Sequence, residues 1–460
     1  MAIMHFAPFT ADAGHSFDRR RAAHLLRRAG FGCSPEEIEG ALDRGLEATV
    51  DQLFADNRAE ELEFQQTFRA INGSFANFAD AAQLQAWWLY RMMKTRMPLR
   101  EKVTLFWHGH FATSYKKFDD LSIMHQQIET LRRHAWGSFR TLLRTVAKDP
   151  AMLIWLDGES STKDHPNENF ARELLELFTC GIGHYTEMDV REASRAFTGW
   201  HRDGAKFIFH AEEHDAEPKE FLCKAGNFDG GDIIDVLLQH PPTSRFLARK
   251  LLRFFACPEP GTEVVTEAAA RLRETDFNIQ RFLRELFLSR FFFSDACYRR
   301  RISSPAEFVV GTVRFLQIRI AALDLKDHLV AMGQELYAPP NVKGWDGERK
   351  WINSSTWSAR AAFGEQVAAL QESNPFTGHL PLGQIVPPDM TDPKQVVDTL
   401  ADRLFQGDLA PAVRQHLGEY LVATAEGPRP QRFREDDRFR FEQTRNALGV
   451  MLGMPEYQLY

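Results

Sequence analysis

Between Asp164 and His201 the chain concentrates groups that can move protons and hold anions. The run Asn167-Glu168-Asn169-Phe170-Ala171-Arg172-Glu173-Leu174-Leu175-Glu176-Leu177-Phe178 leads on to Thr186-Glu187 and Thr198-Gly199-Trp200-His201. At about 100° per residue, Glu168, Arg172 and Glu176 share one stripe of a helix, with Phe170, Ala171, Leu174 and Phe178 on the other side. Two uses follow. The stripe is either an internal i,i+4 clamp around Arg172 or a cleft wall, with Glu168 or Glu173 as a base and Arg172 stabilising a developing anion. Glu173 lies on a different stripe, so its direction matters most for the second use. Carboxylate-bridged metal helices pair Glu with His three residues on; here Arg172 occupies the helix instead.

The second candidate is Phe106-Trp107-His108-Gly109-His110-Phe111. In an extended chain His108 and His110 point the same way and can chelate one ion; on a helix they lie 200° apart and cannot. Gly109 keeps both conformations open, and the flanking aromatics equally suit two buried, hydrogen-bonded histidines. A third candidate is His214-Asp215, following His210, which can supply a metal ligand and its orienting carboxylate or can simply be surface loop. Histidine and carboxylate donors suit zinc, iron or copper better than magnesium. A weaker alternative places His108 or His110 as an axial haem ligand. His125 and His134 sit on predicted helices and read as structural. No Gly-x-Gly-x-x-Gly, Walker loop, His-Glu-x-x-His or Gly-x-Ser-x-Gly occurs, and Ser160-Ser161-Thr162-Lys163 lies in a polar loop where a Ser-x-x-Lys nucleophile needs a helix start.

The elements that must position these groups are mostly helices. Ala22, Leu25, Leu26 and Ala29 recur at helical spacing until Gly30-Phe31-Gly32 breaks the pattern; Ser34 then caps a helix that Pro35 opens. Helical periodicity runs through residues 58 to 97, and Pro98 starts a helix carrying Val103, Phe106 and Trp107. Leu121 to Ala147 reads as two helices broken at Trp136-Gly137, and Asp149-Pro150 begins another. Thr186 caps the next, with Asp189 in its first turn. Only Lys206–His210 and Glu220–Leu222 alternate with period two, predicting one small hairpin near 205–223. Pro339-Pro340-Asn341-Val342-Lys343-Gly344-Trp345 must be a rigid turn. The expected architecture is a multi-helix array: a main helical domain over 1–373, a Pro-rich crossover over 374–392, and a C-terminal helical segment over 393–460.

Composition bounds the function. With 460 residues and 44% apolar content the chain can build a large core. Its 37 Phe against 8 Tyr make that core aromatic with few rings needing a polar partner. A net charge of −7 argues against nucleic acid as a partner. Five dispersed cysteines without Cys-x-x-Cys imply neither zinc ribbon nor disulfide framework. Charges interrupt every apolar run short of a membrane span, and the N-terminus lacks an export segment, so the sequence as given reads as soluble and cytoplasmic, or periplasmic if a signal has been removed.

Taken together, Arg21-x-x-His24-Leu25-Leu26-Arg27-Arg28-Ala29-Gly30-Phe31-Gly32, Arg100 through Phe111, Asn167 through Leu174, Thr198-Gly199-Trp200, Pro339 through Trp345 and Pro455-Glu456-Tyr457 resemble the bacterial domain-of-unknown-function family 1800 (DUF1800). The resemblance implies no assigned activity. It implies relatives that look exported and a neighbouring family similar to sulfatases as a protein partner. The residues themselves point to a helical, metal-dependent, hydrolase-like enzyme. The competing expectation is a non-catalytic binding or assembly protein, marked by an exposed apolar patch around Gly344-Trp345 and Trp351-Ile352 rather than a polar pocket.

Overall fold

The computed structural model describes residues 5–10, 16–56, 59, 61–66, 80–370 and 378–460. Part of the predicted 58–97 helical stretch, residues 58, 60 and 67–79, and the start of the Pro-rich segment, 374–377, lie outside the described residues. Among the described residues the fold is predominantly helical with two small antiparallel sheets.

Local chemistry explains where helices begin. Ser34 accepts from the Glu37 amide while the Glu37 carboxylate accepts from the Ser34 amide, a complete capping box in front of Pro35–Arg44. Thr186 and Asp189 close the same box on Glu187–Ala196. Asp18, Asp149, Asn167 and Asp229 cap four more helices. The helices bury one continuous core running from Phe6 to Tyr457. Gly364 and Gly449 allow Ser354–Ala369 to lie close against Asp437–Gly453.

The β content differs in its pairing from the sequence expectation. Trp200–Asp203 pairs with Lys206–Phe209, and Lys219–Phe221 pairs with Lys224–Gly226, so the two alternating segments belong to separate hairpins. The second turns at Leu222 and Cys223, both with left-handed backbone (φ 47° and 60°) and neither a glycine. Leu222 is held there by its amide, which donates to Asp189 Oδ1 at 2.8 Å.

Two buried ionic clusters cross-link the array. Lys102 Nζ lies 2.5 Å from Glu307 Oε1 with both side chains sealed from solvent, and Glu307 also meets Arg301, which reaches Glu348. Glu101, next to Lys102 on the Pro98–His110 helix, instead accepts from Arg132 and from the Trp88 indole.

Candidate functional site

The polar helix does not keep the regular wheel. Glu168–Glu173 is α-helical, but Leu174–Thr179 widens into a π-helix, with the Cys180 amide donating to the Leu175 carbonyl five residues back. Wider turns carry Glu176 off the Glu168–Arg172 stripe. Arg172 therefore pairs with Glu168 at 3.1 Å and, through two bonds of 2.9 and 2.8 Å, with Glu187, while Glu176 accepts from the Tyr185 hydroxyl. The Arg172 clamp is thus Glu168–Arg172–Glu187, across two helices, and it lies largely at the surface. Glu173 is half-buried; burial, and then Glu176, pushes its carboxyl above the usual range.

His108 and His110 both lie on the Pro98–His110 helix, so their rings diverge. His108 is fully buried, accepts at Nε2 from the Tyr337 amide at 3.1 Å, and is pushed by burial down to about 3. His110 places Nε2 3.1 Å from the Phe178 carbonyl and Nδ1 3.0 Å from Lys250 Nζ. His214 and Asp215 turn inward to Thr198: His214 Nδ1 lies 2.9 Å from the Thr198 carbonyl, and the Asp215 amide donates to Thr198 Oγ1. The Asp215 carboxylate is taken by Arg195, which outweighs burial and draws its pKa down. Those four candidates do not converge.

Their neighbours do. His201, His210 and Glu213 offer ligand atoms that all lie within 4.8 Å of one another. His201 comes from the first strand of the first hairpin, His210 follows the second, and the short turn Ala211–Glu213 brings the carboxylate back. His201 Nε2 is 2.6 Å from Glu213 Oε2, and His210 Nδ1 is 3.7 Å from Oε1. The two imidazoles stack with centroids 4.4 Å apart. His201, then His210, holds the Glu213 carboxyl below its ordinary value.

The backbone around this cluster is tightly fixed. Gly199 donates to the Ser161 carbonyl and accepts from the His210 amide at 2.8 Å; the Lys163 amide donates to the Glu213 carbonyl at 2.7 Å. Gly199 has φ +76°, and a Cβ there would stand 2.5 Å from the His210 carbonyl oxygen. Only glycine permits that approach. The polar loop after Asp157 and the Thr-Gly-Trp block thus form the cradle of the cluster. The expected pair His214 and Asp215 lies in the same loop, but the ligand atoms brought together are those of His201, His210 and Glu213. The available signal was His210-x-x-Glu213 opposite His201, two histidines bracketing a period-two strand pair with a carboxylate returning three residues later.

A cavity of about 160 Å³ opens elsewhere, between Gly109-His110, the Pro241–Phe255 helix and the Lys343–Trp351 loop. Trp345 and Trp351 form part of its wall, and Trp351 is buried. None of the exposed large apolar residues among those described belongs to the 344–352 segment. Gly344, at φ +84°, lets the loop seat directly on the Gly109 carbonyl. Lys250, Arg253, Arg301 and Lys343 also border the cavity.

A family model described as protein of unknown function (DUF1800) matches residues 24–459. No curated protein and no solved structure matches the chain. No described helix is long and apolar enough to cross a membrane.

Proposed function

The chain belongs to the DUF1800 family, and from that premise we propose that it is a metal-dependent, hydrolase-like enzyme whose ion is held by His201, His210 and Glu213. The observation that carries this is the mutual proximity of the three ligand atoms, within 4.8 Å. A tetrahedral ion with bonds of roughly 2.0–2.1 Å needs donors about 3.3 Å apart. His201 Nε2 lies 2.6 Å from Glu213 Oε2 and His210 Nδ1 3.7 Å from Oε1, separations within reach of that value by side-chain rotation. Two imidazoles and one carboxylate suit zinc, iron(II) or copper. Three protein ligands leave a position for water, the pattern of catalytic rather than structural zinc, and an ion so placed brings bound water toward neutral pKa. The half-buried His201 and the more exposed Glu213 and His210 leave the cluster reachable by substrate.

Elemental analysis tests this directly. Protein purified without a histidine tag and dialysed against zinc, iron(II) or copper is expected to retain one ion per chain, and His201→Ala and Glu213→Gln to lose it, while His108→Ala retains it. Hydrolysis of a panel of carboxylate and phosphate esters is expected to follow the ion. Substoichiometric metal in the wild type, or full retention by His201→Ala, overturns the assignment.

A further inference from the structure

The cavity beside Gly109 holds a second reactive arrangement, independent of the His201 cluster. Lys250 Nζ donates to His110 Nδ1 at 3.0 Å and to the Leu177 carbonyl at 3.1 Å. His110 Nε2 faces the Phe178 carbonyl, which only accepts, so the ring proton sits on Nε2 and Nδ1 is an acceptor. Two of the three non-carbon positions on the lysine nitrogen therefore meet acceptors. A neutral amine has two N–H bonds and one lone pair, which leaves the lone pair for the third position, and Lys250 borders the cavity.

The charged groups bearing on Lys250 are Arg253 and Lys343, with no carboxylate among them. The cavity's acids are committed elsewhere, Asp346 to Lys343 and Glu348 to Arg301. Burial, then Arg253 and Lys343, brings the ammonium pKa down to about 7. At neutral pH about half of it is free amine, against roughly one in 2,500 for an ordinary lysine. Nucleophile, neighbouring base and a third group orienting the base are all present as Lys250, His110 and the Phe178 carbonyl. At about 160 Å³ the cavity is close to the roughly 150 Å³ that accommodates a benzene ring.

We propose that Lys250 is a nucleophilic amine that condenses with the carbonyl of a small aromatic 2-oxo acid, whose carboxylate is held at Arg253 and whose ring lies against Trp345 and Phe254. The Nζ lone pair forms a bond to the carbonyl carbon while the C=O π pair moves to oxygen. One Nζ proton passes by way of His110 Nδ1 to that oxygen; the hydroxyl then departs as water with the second Nζ proton, leaving the imine. No oxidation state changes.

The test is reductive trapping of the full chain with phenylpyruvate and cyanoborohydride at pH 7, followed by peptide mass mapping. The expected product is one secondary amine per chain at Lys250, heavier by the oxo acid less one oxygen atom, with modification at least about tenfold above any other lysine. Lys250→Arg, which keeps the charge, is expected to abolish it. Phenylacetone, lacking the carboxylate, should label about tenfold less, a difference corresponding to one charge-assisted contact. Labelling spread evenly over lysines of the wild type overturns the proposal without recourse to any variant, as does equal labelling of Lys250 by the neutral ketone or undiminished labelling of a folded Lys250→Arg protein.

Discussion

Replacing Glu307 with glutamine removes the carboxylate that faces Lys102, and the structure sets the scale of the damage. Glu307 Oε1 lies 2.5 Å from Lys102 Nζ and 3.2 Å from Arg301 Nη1, and Oε2 accepts from the Ser304 amide at 2.7 Å. Arg301 keeps Glu348 after the change; Lys102 keeps only the Gly30 carbonyl at 2.8 Å and the rings of Phe31, Phe254 and Tyr460. Stranding one member of a sealed pair costs about 3–5 kcal/mol. Burial already holds Lys102 down at about 8, partly offset by Glu307, so glutamine lowers it further. The folded pKa is then well below the unfolded value of about 10.4, the unfolded chain binds more protons, and stability rises with pH. Because Lys102 of the wild type itself sits at about 8, the deficit is fully present below the variant's folded pKa, shrinks as pH rises toward about 8 and is constant above it. Guanidinium unfolding at pH 6.5 and 9 measures it for the wild type, Glu307→Gln, Lys102→Met and the double variant. We expect a loss of about 3–5 kcal/mol at pH 6.5 for Glu307→Gln, a smaller one at pH 9, and substantial recovery in the double variant, which buries no charge at either position. A Glu307→Gln protein within about 1 kcal/mol of wild type at pH 6.5, or a double variant as impaired as the sum of its parents, refutes the reasoning.

Two further outcomes follow from local geometry. Gly199→Ala forces a methyl against the His210 carbonyl at a backbone angle that disfavours any side chain; zinc titration is expected to show affinity reduced about 10–100-fold with helical content unchanged, and unchanged affinity would detach the Thr-Gly-Trp block from the proposed metal site. Asp149 caps Pro150–Trp155, and its burial raises its carboxyl to about 7 against the lowering effect of the bonds it accepts from Ala151 and Gln127. With a folded pKa above the unfolded value of about 3.9, the folded state binds the extra proton and stability falls as pH rises through about 4 to 7. Asp149→Asn should flatten the stability profile over that window by up to about 1.4 kcal/mol per pH unit, and parallel melting curves at pH 5, 6, 7 and 8 for the two proteins would count against it.

What could be read from the chain follows the range of the interactions involved. Helix starts at Pro35 and Glu187 are written in residues three apart, Ser34 with Glu37 and Thr186 with Asp189, so pattern and structure agree. The π-turn after Glu173 carries no such mark, yet it decides that Arg172 meets Glu187 rather than Glu176. The Leu222-Cys223 turn lacks the glycine or asparagine that signals a two-residue hairpin, because Asp189, on the Glu187–Ala196 helix, supplies the constraint. Lys250 reads as an ordinary charge on an amphipathic helix. Its character comes from His110, distant in sequence, and from the loss of water around it. The Arg172 stripe is conspicuous in the sequence because its charges are local and regular, the features of a solvated ion pair.

The blocks that carry the family resemblance divide once their contacts are known. Arg28 donates to the Cys297 carbonyl, Lys102 to Gly30, Glu101 holds Arg132, and the Tyr457 hydroxyl lies 3.0 Å from that of Thr312. Those residues join chain-distant segments, and their polar groups are buried where a mismatch would be costly; their distinctiveness is explained by the frame. Thr198-Gly199-Trp200 and Asn341–Trp345 behave differently. Each brings backbone against backbone through a left-handed glycine, Gly199 beside His210 and Gly344 on Gly109, and each does so at the edge of a group of titratable side chains. A frame needs no such approach at the mouth of a cavity or beside two stacked imidazoles. The distinctive glycines thus direct attention away from the charged Glu168–Arg172 face and toward the hairpin cluster and the Lys250 cavity.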